Sequence, residues 1–550
     1  MLAGLNAPLS PLRFLERSAT AYPDRTACQD GPRSFTFAQM KADAEAMARG
    51  LLQRGLRPGE RVGMLAANSY EALLAQFAVP LAGGVLVPIN TRLAPAEVRY
   101  ICDHASINIL FGEQVLIDPC RRTLGSAGLV ETFVLIPDAN GSQPQPHHPD
   151  SGVVITFEEF VAGVENKEQE QASTRGLTYG VDDEDAAIAI NYTSGTTGRP
   201  KGVVYTHRGA YLAALGMVMT HQYTRDSVYL WTLPMFHCSG WCTGWAAMAA
   251  SSTQIALRAV RGPEMWRLID EEGVSNLCGA PAVLTTLVNA EEAHEVTNLM
   301  IATAGAPPSP TVIGACEDLG IDIIHVYGLT ETYGPTVACA PQPAWKELST
   351  AERAKLKSRQ GIAMVTSEEV RVVEQIPKHS PADVQLVDVP ADGATMGEVV
   401  MRGNVVMREY FHNPDATAEA FAGGWFHSGD LAVKHPDGYI QILDRDKDVV
   451  ISGGENISTI EVEQAIISHP AIADVAVIGI PDDKWGEALR AFVVLAPGNQ
   501  ADENMEASVI DHCRGLVAGF KVPRDYRIID ELPRTSTGKV KKNELREWEG

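Results

Sequence analysis

Two hydrophobic patterns alternate along most of the chain. Between about residues 35 and 330, short apolar runs (61–67, 84–89, 187–190) are separated by longer segments with apolar residues at helical spacing, such as 37–54. Short apolar runs bounded by turn residues predict buried strands, and a period near 3.6 predicts amphipathic helices. This alternation is typical of a doubly wound α/β fold.

The pattern changes in four places. Residues 137–183 are rich in Pro, His, Gln and acidic residues, which bury little apolar surface, so we expect exposed loops there. Ser349 followed by Glu352 is a capping-box pattern that predicts a surface helix running to about residue 360. Strand-like pieces follow at 369–373 and 397–401 and predict a small β-rich unit. From about residue 448, a further alternation of strands and helices is long enough for a separate domain.

Composition narrows the class of protein. With 550 residues, 45% of them apolar, the chain exceeds what one compact core usually contains. The 45 basic and 69 acidic residues give a net charge of −24, which disfavours binding to nucleic acid and to anionic membrane surfaces. We also expect no stable membrane insertion, because no apolar stretch is long enough to span a bilayer. Nine scattered cysteines favour reduced thiols, and no signal peptide or bilayer-length apolar segment is visible. We therefore predict a cytoplasmic protein that acts on small molecules, with peroxisomal residence only if a C-terminal signal was trimmed.

One loop suits a polyphosphate. Tyr192-Thr-Ser-Gly-Thr-Thr-Gly-Arg-Pro-Lys-Gly202 follows a predicted strand and combines three glycines, five hydroxyl side chains and Lys201. Glycines turn backbone N–H groups toward an anion, hydroxyls donate further hydrogen bonds, and lysine adds a positive charge. It is not a Walker loop, because Pro200 and Gly202 stand where that pattern needs Gly and Ser or Thr.

This segment resembles the phosphate loop of the acyl-adenylate-forming (ANL) superfamily, which includes acyl-CoA synthetases, peptide-synthetase adenylation domains and beetle luciferases. The resemblance implies that the loop binds the phosphates of ATP. The residues that it assigns to this role are Thr193, Ser194, Gly195, Thr196, Thr197, Gly198 and Lys201.

A second segment, Tyr327-Gly-Leu-Thr-Glu331, resembles the superfamily's Tyr-Gly-x-Thr-Glu signature. The resemblance implies that Tyr327 is a nucleotide-binding residue, that Thr330 contacts the α-phosphate and that Glu331 helps to hold Mg²⁺. This chemistry is reasonable, because Mg²⁺ takes few protein carboxylates when phosphate oxygens complete its coordination. Alone, the stretch would also fit a helix start capped by Thr330.

Two shorter segments resemble parts of the same nucleotide site. The small-residue turn at 304–307 matches the segment beside the adenine and the acyl pocket, which assigns Gly305 and Ala306. Residues 424–430 match the ribose-binding segment, which assigns Asp430, with Ser428 in place of the more usual Thr. Taken alone, Asp430 would also fit an acidic turn residue after Gly429.

The acidic segment 444–455 allows two interpretations. Its carboxylates at loop positions 1, 3, 5 and 12 imitate a calcium-binding EF-hand, but Val449 stands where the EF-hand turn needs Gly. The resemblance instead implies an interdomain hinge, in which Arg445 binds ribose, Lys447 is the pivot, and Gly453 and Gly454 line a tunnel for the thiol.

The last signature, around 534–540, resembles the loop whose lysine contacts both the acid and the α-phosphate, which assigns Lys539 as the adenylation catalyst. A cation there would offset the repulsion between two approaching anions. A lone lysine on a glycine turn is otherwise usually a solvated surface residue.

The acyl pocket is the least defined part. Residues 233–241 resemble the segment whose histidine and aromatic residue flank the acid, which assigns His237 and Trp241, beside Gly305 and Tyr333. His237 would equally fit a core histidine, and a zinc site with Cys238 and Cys242 is a weaker alternative. Aromatic residues here would favour short, medium or aryl acids.

Taken together, the resemblance implies an N-terminal AMP-binding domain (1–443) of doubly wound subdomains and a β-rich unit, a hinge (444–448) and a mobile α+β C-terminal domain (449–550). The implied enzyme is an Mg²⁺-dependent acid–thiol ligase that uses ATP and coenzyme A. An amide synthetase or carrier-protein ligase, and a non-catalytic nucleotide sensor, remain alternatives. The resemblance does not identify the acid substrate and does not decide whether the protein forms a homodimer. It also does not identify the residues that hold the coenzyme's phosphates, for which Lys521 and Arg524 are candidates.

Overall fold

The structure is a computed structural model of the chain. It describes residues 7–125, 128–144, 152–162, 177–193, 199–377, 379–452, 455–482, 485–496, 498–499, 503–535 and 538–548.

Twenty-five strands are present in the described residues. In chain order they are β1 (Thr26–Asp30), β2 (Arg33–Thr36), β3 (Arg61–Leu65), β4 (Val85–Pro88), β5 (Ile109–Glu113), β6 (Thr132–Ile136), β7 (Val153–Thr156), β8 (Ala187–Thr193), β9 (Lys201–Thr206), β10 (Val228–Trp231), β11 (Thr253–Ala256), β12 (Asn276–Gly279), β13 (Met300–Thr303), β14 (Asp322–Leu329), β15 (Gly334–Ala338), β16 (Ile362–Ala363), β17 (Val370–Val373), β18 (Met396–Met401), β19 (Phe426–Lys434), β20 (Ile440–Arg445), β21 (Val450–Ser452), β22 (Glu455–Ile457), β23 (Ile472–Asp482), β24 (Gly486–Leu495) and β25 (Asp525–Ile528).

Helical segments connect these strands. They are α1 (Leu12–Ala21), α2 (Phe37–Gln53), α3 (Tyr70–Leu81), α4 (Pro95–His104), α5 (Gln114–Gly125), α6 (Phe157–Ala162), α7 (His207–Thr220), α8 (Cys238–Trp241), α9 (Thr243–Ala250), α10 (Gly262–Glu272), α11 (Pro281–Val288), α12 (Pro310–Asp318), α13 (Thr350–Lys357), α14 (Pro414–Ala420), α15 (Thr459–Ile467), α16 (Glu503–Arg514) and α17 (Lys542–Glu547). Single 3₁₀ turns cover Thr330–Thr332, Pro343–Glu347, Ala422–Gly424 and Gly519–Lys521.

Two large sheets form the scaffold of the N-terminal part. The seven-stranded sheet has the order β7-β6-β5-β3-β4-β8-β9, and all its pairs are parallel except β8–β9. The nine-stranded sheet has the order β16-β15-β14-β13-β12-β10-β11-β1-β2, with a parallel centre and antiparallel edges. The strand order reverses within both sheets, as in doubly wound folds. The predicted α/β class is therefore confirmed.

Two smaller sheets follow. Strands β17–β20 form an antiparallel sheet of four, which is the predicted β-rich unit. Strands β21–β25 form a five-stranded sheet, and its core residues pack against α15 and α16. We call the segment from β21 to α17 the C-terminal unit.

The prediction of exposed loops across 137–183 is wrong for part of that segment. Strand β7 extends the seven-stranded sheet by pairing with β6, and helix α6 follows it directly. Phe160 of α6 is fully buried, with its ring centre 4.9 Å from that of Phe111. A short β-branched run and one aromatic residue therefore outweigh the polar composition around them.

The predicted capping box is confirmed. The Ser349 hydroxyl accepts from the Glu352 backbone N–H at 3.3 Å, and the Glu352 carboxylate accepts from the Ser349 N–H at 3.0 Å. The helix that it starts ends at Lys357. None of the helices in the described ranges is long and apolar enough to cross a bilayer.

Candidate active site

The predicted phosphate loop connects two paired strands. Strands β8 and β9 form an antiparallel hairpin that ends with Thr193 opposite Lys201. Residues 194–198, which carry most of the predicted phosphate contacts, lie outside the described residues. Lys201 is exposed, and its ammonium lies 4.6 Å from the centre of the Tyr410 ring. The base of the hairpin therefore lies beside the segment that holds Glu331, to which Tyr410 is also bonded.

The Thr330–Glu331 segment is fixed from several directions. It forms a 3₁₀ turn after β14, and the turn begins after Leu329, so Thr330 is not its cap. The Tyr205 hydroxyl donates to the Thr330 carbonyl at 2.7 Å. The Tyr410 hydroxyl donates to the Glu331 carboxylate at 2.7 Å, and the Met407 N–H donates to the Glu331 carbonyl at 2.7 Å.

Glu331 is suited to hold a cation. Burial raises the pKa of its carboxyl above the usual value, while the hydrogen bond from Tyr410 and the charges of Arg445 and Lys201 oppose that rise. A bound divalent ion would strongly favour the ionised form. In the described part of the chain, no group of three or more His, Cys, Asp or Glu residues is arranged to hold a metal. A single carboxylate at this position is compatible with an Mg²⁺ ion whose other ligands would be substrate phosphates and water.

The predicted ribose ligands meet across two strands. Asp430 of β19 lies opposite Arg445 of β20 in the antiparallel register, and the guanidinium Nε is 3.3 Å from the carboxylate. The Tyr327 hydroxyl donates to the other carboxylate oxygen at 2.7 Å. Three residues from three separate signatures thus form one polar cluster.

Lys539 reaches this cluster from the C-terminal unit. Its loop closes on itself, with the Thr535 N–H donating to the Lys539 carbonyl at 2.7 Å. Burial first, and the Arg445 charge second, lower the pKa of Lys539 to about 7, against the opposing effect of Asp430. The loop also meets the N-terminal part at Gly538, where an added Cβ would lie 3.6 Å from the Ala280 methyl.

His237 also lies near this lysine. Burial and the nearby Lys539 charge lower the pKa of His237 to about 4, so its imidazole is neutral at physiological pH. Its Nε2 is 3.6 Å from the Cys238 Sγ. The zinc alternative gains no support, because the residues that the structure describes contain no metal-binding group of three.

The remaining acyl-pocket candidates differ in exposure. Gly305 has φ +88° and is exposed together with Ala306, so this backbone is accessible to a ligand. Trp241 is buried against Gly334, where an added Cβ would lie 2.9 Å from the Trp241 Cβ. Tyr333 is buried, with its hydroxyl accepting from the Thr206 N–H at 2.7 Å.

The predicted hinge is a turn between β20 and β21. The Asp448 and Val449 N–H groups donate to the Arg445 carbonyl, and Lys447 is exposed at the turn. Asp444 accepts from the Thr459 N–H at 2.6 Å, and Asp448 pairs with the Arg546 guanidinium at 2.6 Å. Because these two carboxylates are bonded to protein donors, they are not arranged as calcium ligands, and the EF-hand interpretation is not supported. Gly453 and Gly454 lie outside the described residues.

The two candidates for the coenzyme's phosphates have protein partners. Lys521 bonds the Glu461 carboxylate at 2.7 Å, and the Arg524 guanidinium lies 5.0 Å from the Trp485 ring centre. These contacts therefore do not place Lys521 or Arg524 at the cluster around Lys539.

Sequence reasoning missed three residues of the site. Tyr410 follows the β-rich unit's second strand in a segment without a recognisable signature, and Tyr205 lies inside a strand that reads as core. Cys238 lies in the segment that was assigned to the acyl pocket, but a thiol there indicated only a weak metal ligand. Its Sγ lies 3.2 Å from the Thr330 hydroxyl.

Known proteins share this arrangement of segments. Residues 15–411 match the family described as AMP-binding enzyme, and residues 461–539 match the AMP-binding enzyme C-terminal domain. An acetate–CoA ligase of Humulus lupulus is 39% identical over 98% of this chain and 94% of its own length. A trans-cinnamate:CoA ligase of Petunia hybrida, described as peroxisomal, is 38% identical with the same coverages.

Solved structures agree over nearly the whole length. The anthranilate CoA ligase AuaEII in complex with anthranoyl-AMP has a TM-score of 0.84 and 25% identity, covering 99% of this chain and 98% of that one. ATP-bound MatB from Rhodopseudomonas palustris has a TM-score of 0.78 and 25% identity, covering 98% of both chains. The chain therefore belongs to the AMP-binding enzymes and, within them, to the acyl-adenylate-forming acyl-CoA synthetases.

Proposed function

We propose that this enzyme converts a short-chain or aryl carboxylic acid, ATP and coenzyme A into an acyl-CoA, AMP and pyrophosphate through an acyl-adenylate. The observation that carries the proposal is the position of Lys539. This half-buried lysine of the C-terminal unit lies near the charges of Asp430 and Arg445 and near His237, where a nucleotide and an acid would meet in the proposed mechanism.

In the first step, a carboxylate oxygen of the acid attacks the α-phosphorus of ATP. The new O–P bond forms as the bond between the α-phosphorus and the bridging oxygen breaks, and pyrophosphate leaves with that oxygen. Lys539 stabilises the negative charge shared by the two reacting anions, and Thr330 bonds the α-phosphate. Tyr327, Asp430 and Arg445 hold the ribose. Mg²⁺, when bound at Glu331, neutralises phosphate charge.

In the second step, the sulfur of the coenzyme A thiolate attacks the carbonyl carbon of the acyl-adenylate, and AMP leaves. Lys539 is not needed for this exchange and would obstruct the approach of the thiol. We infer that the C-terminal unit turns about Lys447, withdraws Lys539 and presents Gly453 and Gly454 to the pantetheine arm.

The proposed acid class follows from two kinds of support. The relatives named above act on acetate and on trans-cinnamate. Trp241 and Tyr333 are bulky and buried beside His237 and Thr330, which favours a short pocket or one that accepts a flat ring.

Mass spectrometry tests the proposal directly. The enzyme is incubated with Mg·ATP, coenzyme A and a panel of short, medium, branched and aryl acids, and both acyl-CoA and acyl-AMP are measured. We expect a thioester from a short-chain or aryl acid, and omission of Mg²⁺ should abolish it.

The other outcomes separate the alternatives. Acyl-AMP without a thioester would indicate an amide synthetase or a carrier-protein ligase. Neither product from any acid, despite AMP binding, would favour a nucleotide sensor. The predictions of a homodimer and of cytoplasmic residence are tested separately, by light scattering and by imaging of a fluorescent fusion.

A further inference from the structure

The segment after His237 has an unusual backbone. Five successive residues, Cys238, Ser239, Gly240, Trp241 and Cys242, have φ between +50° and +64°. Four of them carry side chains, for which the left-handed region costs roughly 1–2 kcal/mol per residue. The turn α8 is therefore left-handed, and neighbouring contacts must hold it in this conformation.

Asn191 supplies one such contact. This residue of β8 is buried, and its carboxamide oxygen accepts from the Ser239 N–H at 2.9 Å and from the Ser239 hydroxyl at 3.2 Å. Because β8 leads directly into the predicted phosphate loop, the turn is tied to the strand that positions that loop.

The other side of the turn contacts the segment that contains Thr330. The Cys238 Sγ is 3.2 Å from the Thr330 hydroxyl, and the Cys242 thiol donates to the Tyr333 carbonyl at 3.5 Å. Trp241 packs on Gly334, as described above. The left-handed turn therefore runs along the segment 330–334 and contacts it at three points.

We propose that Cys238 is a positioning residue that fixes the rotamer of Thr330, so that the Thr330 hydroxyl faces the α-phosphate. This inference rests on the proposed function, because it requires that Thr330 binds that phosphate. Tyr205 already holds the Thr330 carbonyl, and Cys238 adds a contact to the side chain itself. Asn191 supports this contact through Ser239.

A thiol suits this position. Burial raises the pKa of Cys238 to about 12, so the group is a neutral thiol at physiological pH. A neutral thiol bonds the Thr330 hydroxyl without placing a negative charge beside the phosphate. It is also a weak hydrogen-bonding group, so it competes little with a phosphate oxygen for the Thr330 proton.

Calorimetric titration with AMP and with adenosine tests the proposal without turnover. These ligands differ by the α-phosphate, so a disordered Thr330 side chain should lower the affinity for AMP and leave the affinity for adenosine unchanged. We expect Cys238→Ala to lower AMP affinity about 5-fold, as for one lost hydrogen bond, with adenosine affinity within about 2-fold. Cys238→Ser should recover part of the loss. Cys316→Ala, which also empties a buried cysteine site but far from the cluster, should change neither affinity.

A double-mutant cycle gives the decisive comparison. In a Thr330→Val background, Cys238→Ala should cause no further loss of AMP affinity, because the shared hydroxyl is absent. Equal weakening of AMP and adenosine, or an undiminished effect in the Thr330→Val background, would overturn the proposal. If Cys238→Ala does not fold, Cys238→Gly, which also removes the thiol and tolerates the left-handed backbone, carries the same cycle. A wild-type enzyme that binds AMP but yields neither acyl-AMP nor thioester would count against the proposed function. The AMP and adenosine affinities of the variants would still test whether Cys238 positions Thr330.

Discussion

The two sides of the active site are held in different ways. The phosphate wall, Thr330 and Glu331 with Tyr205 and Tyr410, consists of N-terminal residues joined by hydrogen bonds of 2.7 Å. The lysine loop, described at residues 534–535 and 538–540, has hydrogen bonds within the C-terminal unit. It meets the N-terminal part at Gly538, beside the small side chain of Ala280, and through the charge of Lys539 near Arg445 and Asp430. We propose that the first arrangement keeps Thr330 and Glu331 in place for a phosphate, whereas the second allows the loop to leave after one step.

The substitution that should show this difference with the largest effect is Lys539→Ala. Loss of one preorganised charge should reduce adenylation by about 10²–10³-fold, measured by ATP–pyrophosphate exchange. Conversion of supplied acyl-AMP to acyl-CoA should remain near the wild-type rate, because in the proposed mechanism Lys539 has left the site at that stage. The control is Lys541→Ala, which removes a neighbouring lysine that bonds Glu544. Equal loss of both half-reactions would show that the loop does not leave.

The second test stiffens the turn on which we propose that the loop moves. Lys447→Pro fixes φ at the proposed pivot and should reduce thioester formation on the order of tenfold or more, with adenylation largely retained. Lys447→Ala, which keeps backbone freedom, is the matched control and should be nearly neutral. Unimpaired thioester formation in the proline variant would place the pivot elsewhere.

The third test uses pH. The pKa of Lys539 is about 7, so its charge, which adenylation requires, is present below that pH and is lost as pH rises through it. The kcat/KM of pyrophosphate exchange should therefore fall about 15-fold between pH 7 and 8.5. Lys539→Arg, whose guanidinium stays charged, should remove this alkaline limb. An identical limb in both enzymes would assign it to another group.

The same contrast explains what the sequence could predict. The α/β class follows from the alternating periods, and the signatures carry the residues of the cluster, including Asp430, Arg445 and Lys539. Their mutual positions do not follow from the chain, because Asp430 and Arg445 meet through a strand register. Tyr410 was missed because its segment has no signature. Its segment lies beside β9, where the Val204 N–H donates to the Glu409 carbonyl, and this pairing brings Tyr410 to Glu331. The error over 137–183 arose because composition averages out a short strand such as β7.

The substitution with the smallest expected effect tests how firmly the phosphate wall is held. Tyr410→Phe removes the hydrogen bond to Glu331 and should lower the kcat/KM of adenylation about 5-fold, with a higher Mg²⁺ concentration needed for half-maximal rate. Because this bond opposes the rise in the pKa of Glu331, its loss should raise that pKa further and move the acid limb of the pH profile to higher pH. Tyr179→Phe is the matched control, since it removes a comparable Tyr–Glu bond, to Glu45 at 3.1 Å, outside the site. If both variants lose activity equally and share the wild-type acid limb, Tyr410 stabilises the fold and does not tune Glu331.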